Sequence, residues 1–251
     1  MSSRRSLIFS ALAWLAAIAC AALLDLRVAH WVRDSGLQQW MASHRLVGEI
    51  IKSPGSFIFT LAVALAVMFL HPLRWRAGGF LLLATIVSGI NGLLKWVAGR
   101  TRPFKLAVYD LTGEPLAAPF VLSPFRGGIA GLLVGKNLCF PSGHAALAFA
   151  TAAALAMLWP RSPWRWGGYA LASAVAAERV AENAHWLSDC VAAAALGVGG
   201  VHLIHWAVTR LFFREEEDRR SVGPRPSGAS EAAPASETAM RRATVNESSV
   251  P

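Results

Sequence analysis

The stretch FLLLATIVSGINGLLKWVAGRTRP, residues 80–103, decides the fold class of this chain. Its apolar part is close to the length of a helix that crosses a bilayer. Lys95 and Arg102 lie seven residues apart, about two helical turns, so both cations can occupy one helix face before Pro103 stops the helix. Taken alone, the two cations are explained as well by ordinary basic flanking of a helix end. The stretch therefore predicts a membrane helix and leaves the role of its polar end open.

The composition of the whole chain supports a membrane protein. Of its 251 residues, 55% are hydrophobic and 16% are charged, whereas a soluble domain carries about a quarter charged residues. The net charge is +9, but much of the excess lies in short segments between apolar runs. Membrane topology explains such arginines better than binding to DNA or RNA does, so no nucleic-acid partner is expected.

Apolar runs recur along the chain and predict an all-α, polytopic membrane protein with six transmembrane helices. The first run follows the basic start MSSRR and resembles a signal peptide, but its length favours an uncleaved helix. The stretches between runs are predicted to be a mixed interfacial segment, two short basic turns and a long loop rich in Pro and Gly. The predicted helices are 7–24, 57–70, 80–96, 145–159, 167–181 and 187–213, and the connecting segments are 25–54, 71–79, 97–138 and 160–166.

Three regions follow from these runs. Residues 1–54 hold the first helix and an interfacial segment, and residues 55–213 form the core. Residues 214–251 are rich in Glu, Arg, Ser, Pro and Ala, which predicts a disordered tail.

The placement of arginines predicts the orientation of the helices. Arginine pairs fall on the same side of the predicted topology, which should be cytoplasmic and should hold both termini. The segments 25–54, 97–138 and 182–186 then face the periplasm or the exterior. The pairs are Arg4 and Arg5, Arg74 and Arg76, Arg161 and Arg165, and Arg210 and Arg214.

A second polar cluster is FPSGH, residues 140–144, directly before an apolar run. Ser142 and Gly143 would begin a helix, whose free N–H groups and dipole favour an anion. Gly143 would also let the backbone approach a ligand closely. The simpler interpretation is a plain N-cap at Ser142 with an incidental His144.

A third cluster is ERVAENAHWLSD, residues 178–189. His185 and Asp189 are four residues apart, so the carboxylate can bind one ring nitrogen and leave the other as a nucleophile. A hydrogen bond that merely satisfies a buried pair is the alternative. Ionisable groups at the end of a membrane helix are costly and usually functional, which favours the first interpretation. All three clusters fall on the outward side of the predicted topology.

Together the clusters resemble the signature motifs of the type 2 phosphatidic acid phosphatase (PAP2) superfamily, in order and in spacing. The resemblance covers roughly residues 55–213 and implies a PAP2-like helical bundle. One departure is Glu178, where the family usually has Ser; its carboxylate would either weaken or orient the neighbouring arginine. The matching residues are Lys95-x6-Arg102-Pro103, Pro141-Ser142-Gly143-His144 and Arg179-x5-His185-x3-Asp189.

The resemblance implies a metal-independent phosphatase without a cofactor. His185 would form a phosphohistidine, Asp189 would orient it, and His144 would protonate the leaving oxygen and then activate water. The phosphate oxygens would be held by the side chains of Lys95, Arg102 and Arg179, the Ser142 hydroxyl and the Gly143 N–H.

The resemblance also implies a membrane lipid as substrate: phosphatidate, phosphatidylglycerol phosphate, undecaprenyl diphosphate or lipid A. We expect a bacterial inner-membrane protein with its site facing the periplasm.

A lipid phosphotransferase with the same residues and a non-catalytic lipid-binding or transport protein are the alternatives. A vanadium haloperoxidase is disfavoured because those relatives are soluble. Two other features are weaker candidates. His202 and His205 could bind a metal, but histidines three residues apart without a third ligand more often have a packing or interface role. Asn91 is expected to form a hydrogen bond between helices.

Overall fold

The computed structural model describes residues 2–105, 122–125 and 138–221, with side chains described only between residues 5 and 210 of those ranges. The regular structure of these ranges is helical, so the predicted all-α class is confirmed. The α-helices are α1 Ser2–Asp34, α2 Leu37–Ser43, α3 Arg45–Lys52, α4 Phe57–Leu70, α5 Arg74–Ala84, α6 Ile86–Ala98, α7 Gly143–Leu158, α8 Trp164–Ala181 and α9 Leu187–Ser221. Single 3-10 turns occur at Ser53–Gly55 and Pro103–Lys105.

The predicted boundaries were wrong at the first helix. It was expected to end at residue 24, yet α1 runs to Asp34 and is followed by the short helices α2 and α3. Asp25 does not end α1 because its carboxylate is buried and paired with a cation from another part of the chain. A charge that has a partner inside the protein does not have to reach water.

The basic turn predicted at residues 71–79 is also largely helical, because α5 begins at Arg74. Gly78 remains inside α5 because a Cβ at this position would collide with the Met68 side chain of α4. A break at Thr85 then separates α5 from α6, so the helix predicted at 80–96 is the second part of a longer bent element.

Small residues allow the helices around the site to pack closely. The buried face of α7 consists almost entirely of alanines. A Cβ on Gly197 of α9 would lie 2.6 Å from the Ala146 carbonyl oxygen of α7, and one on Gly200 would lie 2.8 Å from Val87 of α6. These glycines therefore allow α9 to lie close to α6 and α7, which carry other residues of the predicted site.

The chain is a multi-pass membrane protein by the length and apolar character of its helices. Three described segments are long and apolar enough to cross a bilayer: Arg5–Asp34, Arg74–Ala98 and Leu187–Arg210. A fourth is possible if Arg45–Gly55 and Phe57–Leu70, bent by 53°, form one span. The predicted number of six spans is not confirmed, because α7 has 16 residues and α8 carries three charged residues in its 18.

Two compact units divide the chain, Met1–Ala207 and Val208–Pro251. The first holds all of the predicted site residues. The second is described only as far as Ser221, over which it is helical, so α9 extends beyond the predicted end at residue 213. Most of the predicted tail, residues 222–251, lies outside the described residues, and its disorder stays a prediction.

Candidate active site

Backbone hydrogen bonds tie the three motif segments together. The Ser142 N–H donates to the Asp189 carbonyl at 3.2 Å, which joins the start of α7 to the start of α9. The Cys139 N–H donates to the Arg100 carbonyl at 3.0 Å, and the Phe104 N–H donates to the Asn183 carbonyl at 2.9 Å. Segments far apart in sequence thus meet at one place, whereas the placement of the arginines by itself predicted only that they share a side of the membrane.

His185 lies in the short loop between α8 and α9 and is 3% exposed. Its Nδ1 lies 3.4 Å from Asp189 Oδ2, which also accepts a hydrogen bond of 3.0 Å from the Trp186 N–H. The 3.4 Å separation is long for a hydrogen bond, and Nδ1 makes none with ordinary geometry among the described residues. Asp189 therefore faces Nδ1 of the ring, which leaves Nε2 for a ligand.

Burial is the main influence on the charge of His185. It lowers the pKa of His185 to about 4, against the opposing effect of Asp189, and the cations Lys95 and Arg102 lower it further. The imidazole is consequently neutral at neutral pH, as a nitrogen nucleophile must be. Burial also lowers the pKa of Arg102, but an arginine keeps its charge at physiological pH.

The N-terminus of α7 forms a cradle for an anion. Ser142 precedes the helix with extended backbone, and its buried Oγ lies beside the Cys190 thiol but makes no hydrogen bond of ordinary geometry within the described residues. A Cβ on Gly143 would lie 3.3 Å from Asn91 Nδ2 and 3.7 Å from Lys95 Nζ. Lys95 and Asn91, one turn apart on α6, therefore face a helix N-terminus that can bind an anion.

Asn91 was predicted to bond across helices, and the structure places its amide at this cradle instead. The side chain is 3% exposed, and its Oδ1 has no hydrogen-bond partner among the described residues. A buried amide without a partner is costly, which is consistent with a position that a ligand completes.

His144 is the second residue of α7 and is brought to the same place. It interacts electrostatically with His185, Lys95 and Arg179, and also with Lys52 of α3. The 3-10 turn that follows α3 packs against the α7 terminus, since a Cβ on Gly55 would collide with the His144 carbonyl oxygen. Both histidines of the prediction therefore belong to one cluster with its cations.

Arg179 lies near the end of α8 and is held by two neighbouring carboxylates. Its Nε donates to Glu178 Oε2 at 2.8 Å and its Nη2 donates to Glu178 Oε1 at 3.2 Å. Nη2 also pairs with Glu182. Gly48 of α3 covers this group, because a Cβ there would lie 3.2 Å from a carboxylate oxygen of each glutamate. The cation is thus already partly neutralised before any ligand binds.

An apolar cavity of about 740 Å³ lies between α1, α2 and the helices that carry the site. Its lining includes Glu178 and Cys190, which precede Arg179 and follow Asp189 in the sequence, and Leu187 at the start of α9. Trp31 and Met41 line its other side. A cavity of this character next to a polar cluster suits an amphipathic ligand.

Comparison with known proteins identifies the family of this chain. The sequence profile of the PAP2 superfamily matches residues 56–213, which is more than half of the chain. The chain belongs to the PAP2 superfamily. The profile begins and ends within a residue of the core predicted at 55–213 and contains every predicted site residue.

Two curated relatives of this PAP2 protein are named lipid A 1-phosphatase. The protein from Porphyromonas gingivalis is 40% identical over 78 residues, which cover 30% of this chain but only 17% of that relative. The protein from Rhizobium etli is 28% identical over 179 residues, which cover 64% of this chain and 70% of that relative. A solved transmembrane PAP2-type phosphatidylglycerolphosphate phosphatase from Bacillus subtilis gives a TM-score of 0.45 at 19% identity, covering 77% of this chain and 96% of that one.

The prediction missed one buried cation of this candidate site, Arg100. It is 1% exposed and contacts Asp189, the carboxylate beside His185. Its Nη2 donates to Asp25 of α1 at 2.6 Å and its Nη1 donates to Ser188 at 2.8 Å. One signal in the sequence was available: Asp25 is a carboxylate within a long apolar helix, and such residues usually have a partner and a function.

Proposed function

We propose that this PAP2 protein is a metal-independent phosphatase that hydrolyses a lipid phosphate or diphosphate through a phosphohistidine on His185. The convergence of the three motif segments carries the proposal, above all the bond between Ser142 and Asp189 that sets the α7 N-terminus beside the histidine. A buried neutral imidazole, a helix N-terminus and cations from separate segments are what phosphoryl transfer requires.

The first step of the proposed reaction forms a bond between His185 Nε2 and phosphorus. The bond from phosphorus to the lipid oxygen breaks, and that oxygen keeps the electron pair of the bond and receives a proton from the protonated form of His144. Asp189 orients the imidazole and stabilises its developing positive charge. Lys95, Arg102 and Arg179, with the α7 N-terminus, hold the other phosphate oxygens.

The second step releases inorganic phosphate. Water attacks phosphorus while His144 accepts its proton, and the bond between phosphorus and His185 breaks with its electron pair returning to Nε2. Both histidines are then in their starting protonation states, so the cycle needs no oxidant, reductant or cofactor.

Two observations support a lipid as the substrate. The site lies at the ends of apolar helices, and the apolar cavity beside Glu178 and Leu187 has room for part of an acyl chain. The names of the two curated relatives favour a phosphate carried by a lipid A-type sugar. Phosphatidate, phosphatidylglycerol phosphate and undecaprenyl diphosphate share the same chemistry and belong in the same test.

We further propose that the site faces the periplasm, in a bacterial inner membrane with both termini in the cytoplasm. The excess of arginine in the segments around Arg74 and Arg161 supports this orientation. Single cysteines placed at residues 72 and 161 of a cysteine-free variant should react with a membrane-impermeant maleimide only after the cells are opened. Labelling in intact cells would mean that the orientation is opposite to the one proposed.

The decisive experiment measures phosphate release from a panel of these lipids by purified protein in detergent with EDTA. We expect wild-type protein to release phosphate and His185→Ala to lose at least about 10³-fold in rate. His202→Ala is the matched control, because this exposed histidine of α9 bonds only to the Val198 carbonyl within the described residues, so the variant should retain full activity. Equal rates for wild type and His185→Ala, or release that EDTA abolishes, would refute the mechanism.

A further inference from the structure

The Asp189 carboxylate is held on both of its oxygens. Oδ2 faces His185 Nδ1 at 3.4 Å and accepts from the Trp186 N–H. Oδ1 accepts from Arg100 Nη1. The plane of the carboxylate, and hence the direction in which Oδ2 meets the imidazole, depends on Arg100 as much as on α9 itself.

Arg100 is held in turn from the first helix. Its Nη2 donates to Asp25 Oδ2 at 2.6 Å, and its guanidinium lies 5.1 Å from the centre of the Trp186 ring. Ser188 joins both ends, since its N–H donates to Asp25 Oδ1 at 2.8 Å and its hydroxyl accepts from Arg100 Nη1 at 2.8 Å. The three charged residues of this network, Asp25, Arg100 and Asp189, are each at most 1% exposed.

A need for stability alone does not explain this arrangement. The group holds two carboxylates and one guanidinium out of water, and apolar residues of similar volume often stabilise a protein as well as a buried ion pair does. Asp25 also lies outside residues 56–213, the part of the chain that matches the PAP2 profile. The contact between Arg100 and α1 therefore involves a residue that the PAP2 profile does not cover.

We infer that Arg100 and Asp25 are positioning residues that fix the orientation of Asp189 and, through it, of His185, so that α1 supports the active site. This inference rests on the proposed role of His185. Neither residue needs to touch the substrate. Their loss should reduce the rate of the chemical step and leave substrate binding largely unchanged.

The first experiment compares kcat and KM of wild type with Asp25→Asn, Arg100→Gln and Arg100→Lys in detergent. We expect kcat to fall about 10-fold for Asp25→Asn and about 100-fold for Arg100→Gln. Losses of this size are typical when a residue that orients a metal-binding side chain is removed. KM should change less than about threefold, because the cationic side chains proposed to bind the phosphate are intact. Arg100→Lys keeps the charge and should recover part of the loss.

The matched control is Thr151→Val, which removes a buried hydrogen bond of 3.0 Å between α7 and Thr60 of α4. This variant loses a comparable internal contact that has no connection with Asp189, so it should keep its kcat. Asp25→Asn is nearly isosteric and tests the inference even if Arg100→Gln fails to fold. Wild-type kcat in folded Asp25→Asn would overturn the inference.

A second measurement does not depend on turnover. The ¹⁵N signals of His185, assigned by comparison with His185→Ala, report its tautomer and its titration. The charged and titratable groups that interact with this ring include Asp189, Lys95, Arg102 and His144, and Arg100 contacts the far oxygen of Asp189. Removal of the nearby positive charge in Arg100→Gln should move the titration of His185 to higher pH, and Arg100→Lys should not.

The two measurements separate the two proposals. If wild-type protein releases phosphate from none of the lipids, the proposed function fails, and the ¹⁵N titration still decides whether Arg100 positions His185. An unchanged tautomer and titration in both Arg100→Gln and Asp25→Asn would overturn the positioning role even in an active enzyme.

Discussion

Two buried arginines of the site, Arg100 and Arg179, are each paired with two carboxylates, but the partners come from different distances along the chain. Arg100 pairs with Asp25 and Asp189, which lie 75 and 89 residues away. Arg179 pairs with its neighbours Glu178 and Glu182 on or next to its own helix. The first group connects three parts of the fold, and the second is local.

Exposure separates the two groups as well. Asp25 and Asp189 have fully buried side chains, whereas the Glu182 side chain is 30% exposed. In the proposed site, Glu182 could release Arg179 to a phosphate at little cost because its carboxylate reaches solvent, whereas the fully buried Asp25 and Asp189 could not release Arg100 in this way. The comparison teaches that a buried arginine can orient other residues or bind ligand, and that the origin of its carboxylates indicates which.

The largest expected effect tests the carboxylate that belongs to both the Arg100 group and the histidine. Asp189→Asn should lower kcat by about 10³- to 10⁴-fold, since the amide neither stabilises a positive imidazole nor selects the correct tautomer. Phosphate release under saturating lipid measures the effect. A loss below about tenfold would mean that Asp189 is only a structural partner of Arg100.

The next prediction compares the two arginines directly by stability. Arg100→Gln leaves two enclosed carboxylates without their cation and should cost about 3–5 kcal/mol of unfolding free energy. Arg179→Gln also leaves the buried Glu178 without its cation, but the other partner, Glu182, reaches solvent, so the cost should be smaller, about 1–3 kcal/mol. Apparent unfolding temperatures in the same detergent provide the measurement. Equal shifts for the two variants would remove the distinction between the groups.

A third prediction uses the histidine near both arginine groups. The folded-state pKa of His185 is lowered to about 4, below the value of about 6.5 for an unfolded histidine. The unfolded chain therefore binds the proton first, so stability falls as the pH is lowered from about 6.5 towards 4, by up to a few kcal/mol. His185→Asn should show a smaller decline in apparent unfolding temperature, and an identical decline would contradict the lowered pKa.

The smallest expected effect concerns the local group. Glu182→Gln removes one carboxylate from Arg179 Nη2 and should strengthen competitive inhibition by inorganic phosphate about two- to fivefold. Glu49→Gln is the matched control, because it removes an exposed charge of the same sign that pairs with Lys52 instead. An equal gain in both variants would assign the effect to general charge and not to contact with Arg179.

The amino-acid sequence by itself determined the helical class and the membrane setting, and it predicted which residues form the candidate site. Apolar runs predicted the positions of the helices, because the side chains of each run must be buried in the protein or face lipid along the whole run. His185 and Asp189 were assigned as partners because four residues make about one helical turn. These inferences depend on periodicity within a single segment, which the sequence contains in full.

Only the tertiary structure decided which charges meet across segments. It extended α1 through Asp25, gave that residue Arg100 as its partner and placed Asn91 at the α7 N-terminus. The local sequence around Asp25 resembled the polar end of a helix, because the partner that makes its burial tolerable lies 75 residues further along. The cost of burying a charge depends on its neighbours in space, and spacing along one segment does not specify them.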